Sequence, residues 1–236
     1  MRGVKAVLFD VFGTVVDWRG SLIAELGAFG ARRGIAADWA GLVDAWRGAY
    51  QPSMQRVRSG ALPWTVLDDL HRASLDELIA RFAITGLDDA DRAWMVAGWH
   101  RLKPWPDTVA GLDALKQRAI IGTLSNGNVA LLVNLAKAGG MAWDVVFGAD
   151  IFGHYKPDPE TYLGACRLLR LAPHEVMLAA AHNSDLAAAR ALGLRTGFIP
   201  RPGEYGPAQA RDLRAEAAWD IVAEDIPRLA AALVPG

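Results

Sequence analysis

The stretch VKAVLFDVFGT, residues 4–14, decides the fold. Val4 to Phe9 is a short apolar run rich in β-branched residues, interrupted only by Lys5. A run without polar alternation predicts a strand buried on both faces, as in a parallel sheet. It ends at Asp10, and Gly13-Thr14 supplies a turn. Working outward, similar runs recur at Ala119 to Leu124, Val176 to Ala180 and Thr196 to Ile199, with a shorter one at Val145 to Phe147. Helical patterns separate them, at Thr108 to Arg118, Val129 to Ala138, Pro159 to Leu169 and Ser184 to Leu192. Strand-helix alternation at this spacing predicts an α/β fold with a doubly wound parallel sheet, a Rossmann-like core.

The segment from Trp18 to His100 breaks the alternation. It carries helical periodicity, little strand signal, and punctuation at Gly34, Gly60-Ala61-Leu62-Pro63 and Gly86. It is expected to form a cap of four or five helices inserted after the first strand. The expected division is therefore residues 1–17 and 101–236 as the core and 18–100 as the helical cap. Trp39, Trp46, Trp64, Trp94 and Trp99 concentrate in the cap; most are expected to pack, and one or two to wall a pocket. Ala230 to Gly236 reads as a frayed helix end.

Composition excludes several classes. Of 236 residues, 52% are hydrophobic, too many for a disordered chain. The 25 basic residues are matched by 26 acidic ones, so neither a nucleic-acid surface nor a polybasic membrane anchor is expected, and any anion site must be local. No apolar stretch is long enough for a bilayer span or a signal peptide. Cys166 is the one cysteine, so no intrachain disulfide can form and a reducing, cytoplasmic setting fits. It is expected to be a buried, inert thiol.

Ligands of open parallel sheets bind outside the carboxyl ends of the strands. After the first strand stand Asp10, Val11, Phe12, Gly13 and Thr14, and after the second Ser125, Asn126 and Gly127. The loop after the short third holds Tyr155, Lys156, Pro157 and Asp158. After the fourth stand Ala181, His182, Asn183, Ser184 and Asp185. Each end switches from apolar to polar. Four switches in register point to a site rather than to packing.

These segments, DVFGT, TLSNGN, YKPDPETY and AHNSDLAAARALGL, resemble in order the four motifs of the haloacid dehalogenase superfamily. The likeness covers nearly the whole chain. WRGAY in the cap, Ser125-Asn126, and Lys156-Pro157-Asp158 with Tyr162 following resemble the L-2-haloacid dehalogenase branch. That resemblance implies that Asp10 is a nucleophile, that Thr14 and Ser125 orient it, that Arg47 and Asn126 handle halide or substrate, and that Lys156 and Asp185 complete the site. For Arg47 an exposed face of a cap helix is the competing reading. Turn formation competes for Ser125 and Asn126, and core packing for Tyr162.

Chemistry separates the branches independently. The phosphatases of the superfamily resemble D-x-D at the first motif, the second Asp protonating a basic alkoxide. Here that place is Phe12, which donates nothing, and a halide leaving group needs no proton. Magnesium wants several oxygen ligands; the fourth motif offers only Asp185, preceded by His182, Asn183 and Ser184. A 2-haloacid carries one charge, which Arg47 and the N–H groups of Val11 and Phe12 can neutralise, so no metal or cofactor is expected. The expected route has two steps: Asp10 displaces halide and forms an ester, and water then opens the ester carbonyl. Lys156 is expected to keep Asp10 ionised, and Asp185 to position or activate the water, through His182.

His182 is the departure. This branch resembles S-x-N-x-x-D here, and alignment on Asp185 puts Ala180 at the Ser and His182 at the Asn. A histidine accepts or donates near neutral pH and narrows the pocket, favouring haloacetates, fluoroacetate among them. His71, His100, His154 and His174 show no metal-ligand spacing. The expected partners are a small haloacid and water, with a homodimer implied by the resemblance. A phosphohydrolase with an atypical site and a non-catalytic binding protein are the competing functions; fold alone does not choose between them.

Overall fold

The computed structural model describes residues 3–233. A six-stranded sheet forms the centre, in the order β5 (Val145–Gly148), β4 (Ile120–Ser125), β1 (Ala6–Phe9), β6 (Val176–Ala180), β7 (Arg195–Phe198), β8 (Ile221–Val222). Every strand pair in it is parallel. The four residues of β1 and three of its β6 partners, Met177, Leu178 and Ala179, have no exposed surface, as two-sided burial demands. Gly122 of β4 is required by the register: a β-carbon there would lie 2.4 Å from Val145 Cγ2 on the neighbouring strand.

Helices cover both faces: α5 (Thr108–Lys116), α6 (Val129–Gly139), α8 (Pro159–Leu169) and α9 (Asn183–Ala191) alternate with the strands. Their ends follow local rules. Pro159 starts α8 where a missing N–H costs nothing, and Gly140 closes α6 in the left-handed conformation at φ 67°. Between β1 and α5 lie α1 (Trp18–Arg33), α2 (Trp39–Arg58), α3 (Leu67–Arg81) and α4 (Asp89–Val96), followed by a 3₁₀ turn at Ala97–His100. A two-stranded antiparallel clasp, β2 (Val16–Asp17) with β3 (Lys103–Pro104), closes the neck where the chain leaves and re-enters the sheet layer.

Three short elements were not anticipated: this clasp, the edge strand β8, and α7 (Ala149–Phe152). Elements of two to four residues carry no readable periodicity. The C-terminal reading is corrected in part. Ala230 and Leu233 are buried, and Ala230 belongs to α10 (Ile226–Ala232), which packs closely on α5. A β-carbon at Gly111 would meet Ile226 Cβ at 2.5 Å. Positions 234–236 lie outside the described residues. Cys166 is buried and unpaired, and burial pushes its thiol up to about 11.

Candidate active site

The winding direction of the sheet reverses at β1, which lies between β4 and β6, and that reversal opens a crevice beyond the strand ends. A cavity of about 200 Å³ opens there, lined among others by Asp10, Phe12, Arg47, Asn126, Lys156, Tyr162, His182 and Asp185. This space suits an acid of a few heavy atoms rather than a drug-sized ligand.

Asp10 stands at its floor with both oxygens engaged. Oδ1 accepts from Lys156 Nζ at 2.9 Å, and Oδ2 from Thr14 Oγ1 at 2.9 Å and His182 Nδ1 at 3.1 Å. Thr14 is itself fixed, its hydroxyl accepting the Ala181 N–H at 2.9 Å. Lys156 Nζ also meets Asp185 Oδ2 at 2.5 Å, and the other Asp185 oxygen accepts from Tyr162 at 2.6 Å. Asn126 positions the lysine loop, its Oδ1 accepting the Lys156 backbone N–H at 2.7 Å. The turn's own backbone bonds use the amides of Gly13, Val15 and Val16 as donors; those of Val11 and Phe12 are not among them.

The charges reinforce one another. Burial alone would raise the Asp10 carboxyl, but the Lys156 ammonium and the His182 ring overcome it and hold Asp10 far below the usual carboxylate range. Burial alone would lower Lys156, but Asp10 and Asp185 push it above the usual amine value. Burial also opposes charge on His182, yet Glu204 and Asp10 raise it well above its ordinary 6.5.

Glu204 is the functional residue that sequence reasoning missed. It is 1% exposed, and its carboxylate meets His182 Nε2 at 3.0 and 3.1 Å while accepting from Trp18 Nε1 at 3.0 Å. It lies so close to the first turn that a β-carbon at Gly13, already at φ 86°, would fall 2.1 Å from Glu204 Oε1. Glu204 lies in the irregular loop beyond β7, among residues with no helical or strand periodicity to mark it. Tyr50, Gln51, Tyr205 and Arg211, which also line the cavity, lie on no strand-end motif.

Arg47 faces the cavity from α2. Its guanidinium carbon lies 4.2 Å from the Tyr50 ring centroid and 5.3 Å from that of Trp18, and its Nη1 is buried without a partner. A buried guanidinium N–H without a hydrogen-bond partner is costly unless an anion reaches it. The Phe12 ring fills the position two residues after Asp10 and packs edge-on against Tyr50 and Trp99 at 6.2 and 5.7 Å.

Several expected roles are corrected. Ser125 does not orient Asp10; its Oγ accepts the Gly127 N–H at 3.1 Å and shapes the turn after β4. Asn183 does not face the cavity. Its amide nitrogen donates to Asp212 Oδ1 and Arg214 O, and its oxygen accepts from Glu216 N and Trp219 Nε1, so the side chain is spent on anchoring the loop before β8. His182 has both ring nitrogens engaged, Nδ1 by Asp10 and Nε2 by Glu204, and neither faces Asp185. None of Trp39, Trp46, Trp64, Trp94 and Trp99 lines this cavity; Trp46 and Trp99 form the layer behind Phe12.

The donor set does not fit a magnesium ion. The Lys156 ammonium occupies the position between the two carboxylates, and Phe12 supplies no oxygen where a hard cation wants several. Among the described residues no group of three His, Cys, Asp or Glu side chains could hold a metal ion, and no helix is long and apolar enough to cross a membrane.

Comparison with known proteins bears on the family and the fold. A family model described as haloacid dehalogenase-like hydrolase matches residues 4–193. A crystal structure of an L-2-haloacid dehalogenase is 54% identical, with a TM-score of 0.95 over 97% of this chain and 98% of that one. The structure of a defluorinating L-2-haloacid dehalogenase is 50% identical, with a TM-score of 0.94 over 97% and 94%. Among curated proteins, the (S)-2-haloacid dehalogenase of Xanthobacter autotrophicus is 27% identical, covering 89% of this chain and 79% of its own length. A phosphoglycolate phosphatase of Cupriavidus necator is 29% identical, covering 95% and 92%.

Proposed function

We propose that this chain, which belongs to the haloacid dehalogenase-like hydrolase family, removes halide hydrolytically from small (S)-2-haloacids or haloacetates through an ester on Asp10, without a metal. The observation that carries the reading is the Lys156 ammonium shared between Asp10 and Asp185, with Phe12 where a proton donor would otherwise stand. An ammonium in that place supports a carboxylate nucleophile facing a singly charged acid.

In the first step Asp10 attacks the carbon bearing halogen from the side opposite the leaving group, with inversion. Arg47 binds the substrate carboxylate or the departing halide through its free donor, and Asn126, Tyr162 and the amides of Val11 and Phe12 complete the anion cradle. In the second step water opens the ester at the Asp10 carbonyl carbon, and Asp185 takes its proton. Division into two displacements lowers each barrier. The 200 Å³ cavity and the likeness of the whole chain to a defluorinating enzyme support haloacetates, fluoroacetate included, as substrates. We read residues 18–100 as the cap closing over a core of 1–17 and 101–236. The single free thiol supports a cytoplasmic setting, and a homodimer is the assembly to look for.

The test is halide release from a panel of haloacids, with and without chelator, by wild type and Asp10→Asn. Chelator-insensitive release by wild type and none by the variant is expected. The likeness to a phosphoglycolate phosphatase supports a second reading, phosphate-ester hydrolysis; chelator-sensitive phosphate release with no halide release would favour it and overturn the first.

A further inference from the structure

Resting on the ester route above, we propose that Oδ1 of Asp10 is the attacking oxygen and that His182, held in place by Glu204, donates to Oδ2 as it becomes an oxyanion during ester hydrolysis. Each carboxylate oxygen has two lone-pair directions. Oδ2 has both filled, by Thr14 Oγ1 and His182 Nδ1. Among the described residues Oδ1 accepts only Lys156 Nζ, which leaves it a lone pair for carbon. Oδ2 therefore remains as the carbonyl oxygen of the ester, with two donors already aimed at it.

The histidine is fixed as a donor by its surroundings. Nδ1 faces the Asp10 carboxylate and Nε2 the Glu204 carboxylate, and an ionised carboxylate can accept but not donate. Each ring nitrogen must then carry a proton. The contact of 3.1 Å leaves no space for a water between Nδ1 and Oδ2, so the ring addresses the oxygen itself. Glu204 touches neither Asp10 nor the reacting carbon. It is a positioning residue, seated by Trp18 Nε1 and by the bare backbone of Gly13. Asp10 and Glu204 are the charges in contact with the ring. Lys156, Asp185, Arg47, Arg211, Asp212 and the phenols of Tyr50, Tyr162 and Tyr205 face the same cavity.

An Oδ1 lone pair forms the bond to carbon while the carbon–halogen pair departs with the halide. Water then adds to Cγ, the Cγ–Oδ2 π pair moves onto Oδ2, and one water proton passes to Asp185. Collapse restores Cγ=Oδ2 and breaks Cγ–Oδ1; the departing alkoxide takes the proton from Asp185 as the hydroxyacid leaves. Asp10 releases the remaining proton to solvent.

The test is rapid mixing of chloroacetate with the full chain, following the halide burst and the mass of the Asp10 peptide in wild type and Glu204→Gln. The variant is expected to release its first halide at close to the wild-type rate. Its ester hydrolysis is expected to slow, by no more than the roughly 10²- to 10³-fold cost of losing such a donor outright, so that the ester accumulates. Its ester hydrolysis must also fade at lower pH than in wild type, because the ring loses its second proton more readily without Glu204. Equal slowing of burst and turnover with no accumulated ester overturns the proposal. So does ester hydrolysis that rises with pH from neutral into alkali in both proteins, the behaviour of a ring acting as the base. If Glu204→Gln does not fold, Trp18→Phe removes one anchor of Glu204; it must give a smaller slowing of ester hydrolysis alone, and no slowing overturns the assignment. Wild type that releases no halide from any haloacid would instead sink the dehalogenase reading itself.

Discussion

The two sides of Asp10 are built alike and behave differently. On one side Lys156 is shared between Asp10 and Asp185; on the other His182 is shared between Asp10 and Glu204. Each side is a cation held between two carboxylates. Asp10 and Asp185 hold the proton on the lysine more tightly than usual, so its side fixes the ionisation of the nucleophile. The histidine owes its charge to its neighbours, so its side can respond to what happens on Asp10. One cation is suited to a step that needs a permanent anion, the other to a step in which that anion has become a neutral ester.

The largest expected effect separates the two by stability. Lys156→Met leaves two buried carboxylates without their shared cation, and breaking such a buried pair costs about 3–5 kcal/mol. Denaturant unfolding at pH 7 measures it. Asp10 is depressed in the folded state, so its share of stability is present above the ordinary carboxylate value near 3.8 and is lost as pH falls toward its folded value. The penalty of Lys156→Met must therefore shrink in acid, as protonation of Asp10 removes the unpaired charge. A penalty that grows in acid would mean that Lys156 is not what holds Asp10 ionised.

The histidine side has the opposite sign. His182 is raised in the folded state, so its contribution is complete below about 6.5 and is lost as pH rises through its folded value. Comparing unfolding of wild type and His182→Asn across this range must show their difference largest near pH 6 and smallest in alkali.

The smallest expected effect concerns the scaffold of the histidine side. Asn183→Ala strands the partners of four hydrogen bonds in the loop before β8 and is expected to cost about 1–3 kcal/mol, read as a lower denaturation midpoint. First-step halide release by the folded variant should be little changed. Loss of substrate binding instead would return Asn183 to the cavity.

The same two sides differ in how far the sequence disclosed them. Asp10, Thr14 and Lys156 were legible because a buried strand must end in a turn, and polar residues at that end face a crevice. The strands were legible because two-sided burial writes an unbroken apolar run, and the helix bounds because Pro159 and Gly140 mark them. Glu204 was not, because it lies in an irregular loop some 20 residues beyond His182 in sequence and reaches it only through the fold. Ser125 and Asn183 stand where a ligand-facing residue is expected, yet each finds backbone or loop partners nearer than the cavity. Position at a strand end narrows the candidates; which atoms face inward depends on competing hydrogen bonds that a linear sequence does not display.

An ester on Asp10 opened at its own carbonyl carbon leaves an isotopic trace in one turnover in heavy-oxygen water with enzyme in excess over haloacid. The label must enter the Asp10 carboxylate, and the first 2-hydroxyacid released must carry unlabelled oxygen taken from Asp10. Label in that first product, with none in Asp10, would contradict it.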